Sequence, residues 1–170
     1  MSSESMPMPP RELFRYTLQD QTHGEIHAIA FFSPEELKQL GGLPGSAILA
    51  RMKDPEAGLG PENLEWNGAF VQLLHEVVQA NFPRLPDLQT LTLGPEATHL
   101  YVHVTRPGRT ARSEDPADVI GRFAVKDSKL DPDSYEGNPG FAPVTPEGMF
   151  IMHPDIEREL IARFTPAPTN

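Results

Sequence analysis

The chain has 170 residues, a formal charge of −10 and no cysteine. That length suits one domain with a sizeable core, and the missing thiol excludes disulfides, thiolate zinc centres, iron–sulfur clusters and cysteine nucleophiles. A diffuse negative charge repels nucleic acid and anionic membranes, so neither is expected as a partner.

Residues 1–10, rich in serine, proline and methionine, read as a tail, followed by one domain over 11–165 and a frayed end at 166–170. The N-terminus has neither a basic n-region nor an apolar h-region, so no secretory leader is expected. No apolar run approaches the roughly 20 residues of a membrane helix, and a cytoplasmic protein is the expectation. With 19 prolines and 13 glycines, the domain needs many stiff, irregular connections.

Phe14, Tyr16 and Leu18 alternate with Arg15 and Thr17, the pattern of a half-buried strand over 12–18. A polar turn leads to a second strand over 25–32, and the two are predicted to pair as an antiparallel hairpin. Ser33-Pro34-Glu35-Glu36 is a capping box with proline at the first helical position, and Gly41-Gly42 ends that helix. Residues 43–53 fit a strand or a helical turn. A long helix is predicted over 61–80, because Leu64, Trp66, Phe70, Val71, Leu73, Leu74, Val77 and Val78 fall within one half of a helical wheel. Asn67 lies inside that half, where a buried amide must find backbone partners, and His75 lies on its border. Pro83 and Pro86 stop the helix, and 86–93 is open to either secondary structure.

Residues 98–105 form the clearest strand, with Leu100, Val102 and Val104 on one face and His99, Tyr101, His103 and Thr105 on the other. A polar loop over 106–118 leads to a strand over 119–126 with Val119, Phe123 and Val125 on one side. Residues 127–146 read as a long, proline-stiffened loop packed through Tyr135 and Phe141. A last helix after Pro154 carries Ile156, Leu160, Ile161 and Phe164 as its apolar stripe, with Glu159 spaced to pair with Arg163. This order predicts an α+β fold: a mostly antiparallel sheet with about three helices packed on one face.

The functional candidates are few. His99 and His103 lie four apart on a strand, about 13 Å, too far to share one metal ion, so no metal is expected there. With Tyr101 between them they form a polar, aromatic face suited to a protein partner. Arg106, Arg109 and Arg112 lie on a loop that could hold a phosphate or carboxylate, although Glu114, Asp115 and Asp118 follow at once. Glu25 and His27 share a strand face and lack a named third member. Asp127, Asp131, Asp133, Glu136 and Asn138 resemble a calcium loop in composition only. No dinucleotide, phosphate-loop, zinc-protease or nucleophile-elbow motif occurs, so no cofactor and no catalytic residue is assigned. The resulting expectation is a non-catalytic protein-binding or accessory domain, adaptor or immunity-like, acting through a sheet or loop surface. The alternative is a small enzyme or ligand-binding domain using histidines, with an arginine anchoring an anionic small molecule. It requires two histidines and a carboxylate to converge in one pocket.

Overall fold

The computed structural model describes residues 12–22, 24–58, 61–89, 93–107, 115–145 and 147–164. The expected tails, residues 90–92, and Arg109 and Arg112 of the basic loop lie outside these. The fold is α+β and its strands pair antiparallel. The pairing is divided between two four-stranded sheets and a small hairpin.

The first sheet is a meander. Strands β1 (Phe14–Asp20) and β2 (Gly24–Ala30) pair from Phe14↔Ala30 to Asp20↔Gly24 as an antiparallel hairpin. β2 pairs with β3 (Ile48–Met52) and β3 with β4 (Leu64–Trp66), so sheet order follows chain order. Helix α1 (Pro34–Leu40) connects β2 to β3. Ser33 Oγ accepts from the Glu36 N–H at 3.2 Å, and the Glu36 carboxylate accepts from the Ser33 N–H at 2.9 Å. The helix ends on Gly41 at φ 84°, a left-handed turn that costs glycine no Cβ clash.

The helix expected over 61–80 begins later. Pro61–Asn63 is a 3-10 turn, Leu64–Trp66 is β4, and helix α2 runs over Gly68–Asn81. Leu64-Glu65-Trp66 fits period two as well as the wheel, and Asn67 decides between them. Its Oδ1 accepts from the Ala69 N–H at 3.2 Å, capping α2, while its Nδ2 donates to the carbonyls of Gly45 and Ile48 at 2.9 and 2.8 Å. The amide therefore ties the helix start to the β3 approach, and the residues before it are left extended to pair with β3.

After a single helical turn, α3 (Pro86–Gln89), the chain enters the second sheet. β5 (His99–His103) pairs with β6 (Val119–Lys126). Further along, β6 pairs at one end with β7 (Lys129–Leu130) and nearer its start with β8 (Glu136–Gly137). The segment expected as one long loop is thus partly sheet. Asp127 and Ser128, at φ 51° and 63°, make the tight β6–β7 turn. A bulge between Val102 and His103 places two β6 residues opposite one β5 residue. The bulge sends Ile120 into the core with Phe123 and leaves Val119 paired with His103 on the outer face, not beside Phe123 as simple alternation predicts. β9 (Val144–Thr145) and β10 (Gly148–Met149) form a hairpin, and α4 (Pro154–Phe164) packs on α2.

One core joins these parts. Phe31 meets Phe32, Phe70 and Phe164 edge-on at centroid distances of 4.9, 6.3 and 6.0 Å, which ties β2, α2 and α4 together. Phe82 stacks on Phe123 at 5.6 Å and fastens the second sheet to the end of α2. On α4, Ile156, Leu160 and Phe164 are buried, and Arg163 approaches Glu76 on α2 at 3.9 Å.

Arg106 is the largest fully buried side chain, where the sequence suggests a solvated anion-binding loop residue. Its Nε donates to Asp118 Oδ1 at 2.9 Å. Nη1 donates to the carbonyls of Pro143 and Gly148 at 3.0 and 3.1 Å, and Nη2 to those of Ala117 and Ala142 at 3.0 and 2.6 Å. All five donors of the guanidinium are thus used internally. Arg106→Ala is expected to lower unfolding free energy by roughly 3–5 kcal/mol, because it removes the buried cation facing Asp118 and the donor to four carbonyls. Urea denaturation checks this, and a loss below ~1 kcal/mol would contradict it.

Candidate functional site

β5 is extended through both histidines, so the Tyr101 ring separates them, at centroid distances of 6.3 Å to His99 and 6.4 Å to His103. Tyr101 is 46% exposed, the one large hydrophobic side chain exposed among the described residues. The register continues this face across the sheet. Tyr101 lies opposite Arg122, and Arg122 lies opposite Glu136, so three strands contribute one outer row. Arg122 Nη2 is 3.4 Å from Glu136 Oε1. The Tyr101 hydroxyl, and then the Glu136 carboxylate, raise the arginine pKa above its ordinary value, so the guanidinium is a permanent charge in the row.

This row borders an open groove of about 460 Å³ that His103, Pro116 and Pro139 also line. Asn138 fastens the wall to β6: its Nδ2 donates to the carbonyls of Pro116 and Val119 at 2.8 and 2.9 Å, and its N–H to that of Ile120 at 2.8 Å. The neighbouring row carries Val102, Gly121 and Gly137 and faces inward. A Cβ on Gly121 would lie 2.6 Å from both the Glu136 carbonyl and the Tyr135 hydroxyl; one on Gly137 would lie 2.8 Å from the His75 ring. Two adjacent glycines therefore make room beneath the groove for a pair of side chains. His75 Nδ1, from α2, and the Tyr135 hydroxyl share a 2.6 Å hydrogen bond there, and Tyr135 also packs on Phe123 at 5.0 Å. Burial lowers the His75 pKa from 6.5 and raises that of Tyr135, which keeps both neutral at pH 7.

Of the residues singled out from sequence, Tyr101 and His103 line the groove, and His99 continues the same face beyond it. Arg106 is not available to a ligand. Glu25 and His27 approach to 3.5 Å, and the neighbours that complete their cluster are Thr17 and Arg15, 3.4 and 3.5 Å from His27 Nδ1. Ser134 is held by Asp131 in a 3-10 turn, and the acids around it are spread along β6–β8 rather than gathered. Among the described residues, no group of three or more histidine, aspartate or glutamate side chains is placed to hold a metal ion. Arg122 and Glu136 were not singled out as partners for this face. The signal was an arginine inside an otherwise apolar strand, which acquires meaning only once the bulged register sets it opposite Tyr101.

Chemically, the groove offers an aromatic face, two proline edges, one fixed cation beside one carboxylate, and one histidine. Its described lining holds one histidine, His103, and one carboxylate, Glu136. No helix among the described residues is long and apolar enough to cross a membrane. No protein-family model, curated protein or solved structure matches the chain.

Gly121→Ala is expected to cost about 1–3 kcal/mol, because the Cβ meets the Glu136 carbonyl as well as the Tyr135 ring, which is itself packed on Phe123. The three atoms nearest a Cβ at Gly137 all belong to the His75 ring, so the cost of Gly137→Ala is expected to shrink in a His75→Ala background. A double-mutant cycle by thermal denaturation measures this, and strict additivity would contradict it.

Proposed function

We propose that this is a non-catalytic protein-binding or accessory domain, adaptor or immunity-like, acting in the cytoplasm through the outer face of its second sheet. The observation that supports it is the row Tyr101–Arg122–Glu136, beside a shallow, proline-edged groove. Tyrosine and arginine dominate the energetics of protein interfaces because each presents a large, pre-oriented contact area with a polar end. Here the arginine is oriented before any partner arrives, between the tyrosine and the glutamate, so little side-chain freedom is lost on contact. Glu136 supplies the opposite charge and makes the row selective rather than generally anion-binding.

The second reading, a small anionic ligand anchored on an arginine, draws on the groove volume, which falls within the roughly 300–1,000 Å³ of ligand sites. Among the described residues lining the groove the arginine is Arg122, which already faces a carboxylate at 3.4 Å. That leaves a simple anion in competition with Glu136, whereas a protein surface can address both charges at once.

The test is capture of partners from the native source by the wild-type domain and by Tyr101→Ala/Arg122→Ala, with circular dichroism as the folding control. A protein bound by the wild type is expected to be lost from the double variant, with affinity reduced roughly thirtyfold or more, the ~2 kcal/mol of a hot spot. Equal capture by both proteins, or turnover of an anionic small molecule by the wild type, would contradict the proposal.

A further inference from the structure

We infer that His75 is a pH-sensitive buttress of the groove: charging its imidazole releases the wall formed by Glu136 and Gly137, so the wall is firm at neutral pH and loosened in mild acid. The inference concerns the wall itself and stands whether or not a protein is what the groove receives.

The geometry is specific. Gly137 has no side chain, and the position its Cβ would take is 2.8–3.1 Å from three atoms of the His75 ring. The backbone of β8 therefore rests directly on the imidazole. The residue before β8, Tyr135, is hydrogen-bonded to the same ring at 2.6 Å. The next residue, Asn138, carries the bonds that close the wall onto β6 and Pro116. One helix side chain thus supports the middle of a wall otherwise held at its far end and by the two short β6–β8 pairs.

The surroundings supply little to stabilise a positive charge there. Tyr135 is the titratable group in hydrogen-bond contact, and burial keeps its hydroxyl protonated. On α2 itself the adjacent acid, Glu76, is exposed and faces Arg163 of α4 and the Gln72 amide. The 3-10 turn packed against α2 brings Asp133, which is exposed. The β6 face turned inward presents Gly121 and Phe123, while Arg122 and Glu136 lie together on the outer face. Arg51 of β3 is bound to Glu65 at 2.8 Å, and Arg84 follows the C-terminal end of α2. Burial accordingly sets the direction of the shift: the folded protein binds this proton less tightly than the unfolded chain. The sign follows. Above the unfolded value of 6.5 both states hold a neutral imidazole and the wall is intact; as pH falls through and below 6.5, proton uptake favours states in which the ring escapes to solvent. Moving the ring out removes the support beneath Gly137 and the bond to Tyr135 together.

Amide hydrogen exchange at Asn138, corrected for the intrinsic rate, reads the wall between about pH 7.5 and 5. Protection in the wild type is expected to fall severalfold, with its midpoint below 6.5. His75→Gln, which stays neutral, is expected to remove the pH dependence, and His27→Gln, on β2 of the first sheet, to leave it unchanged. The His75 imidazole, followed by NMR in the wild-type protein, is expected to titrate below 6.5 and in step with the loss of protection. A flat wild-type profile, a fall that persists in His75→Gln, a fall abolished by His27→Gln, or a His75 midpoint at or above 6.5 would each overturn the inference.

Discussion

The second half of the molecule depends on one guanidinium. Arg106 follows β5, and its five donors reach Asp118 and four carbonyls, those of Ala117, Ala142, Pro143 and Gly148. These acceptors belong to the entry into β6 and to the connection that forms the β9–β10 hairpin. None of these segments is long enough to hold itself by a ladder of backbone bonds, and β9 and β10 contribute two residues each. A buried carbonyl needs a donor, and a lysine, with three donors on a point charge, cannot reach five acceptors arranged in a plane. The carboxylate of Asp118 neutralises the charge inside the core, and its carbonyl accepts from the Val104 N–H at 2.9 Å, joining the end of β5 to the start of β6.

That junction sets what the outer face carries. With Asp118 fixed beside Val104, the bulge is absorbed between Val102 and His103, and beyond it Tyr101 falls opposite Arg122. A one-residue slip would turn Arg122 toward the core and Phe123 outward, which the stack of Phe123 on Phe82 opposes. The row of tyrosine, arginine and glutamate is therefore a consequence of core packing on one side of the sheet and of the buried ion pair at its end. The two glycines beneath play the complementary part. They let a polar pair from α2 and the wall segment sit under the sheet, where two ordinary side chains would exclude it. The groove is thus connected to the core helix through His75 and to the sheet's end through Arg106.

Elements governed by local chemistry were legible in the sequence. The capping box at Ser33, the glycine stop at Gly41, the alternation of β1 and β5, and the stripe of α4 each rest on residues within a few positions of one another. The placing of His99, Tyr101 and His103 on one face could be read for the same reason. The failures have a common cause, which is that distant partners decided them. Leu64–Trp66 is extended because β3 is beside it and Asn67 caps the helix that follows. Arg106 reads as a loop cation until residues 11 to 42 positions away supply its acceptors. Arg122 and Glu136 become neighbours only through the β6–β8 pairing, and Gly121 and Gly137 have no visible role until His75 and Tyr135 fill the space they leave.

The most direct test of this dependence is the stability of Arg106→Met/Asp118→Leu, measured by urea denaturation beside the wild type. Replacing a simple buried ion pair by apolar groups of similar size is often neutral or stabilising. If the guanidinium matters as the donor to four carbonyls, the double variant remains less stable than the wild type by about 3 kcal/mol or more, since all four lose a charged donor and those of Ala117 and Pro143 keep a backbone N–H, from Ala142 and Phe150. Stability equal to the wild type, with the Tyr101–Arg122 register retained in its NMR contacts, would contradict the account.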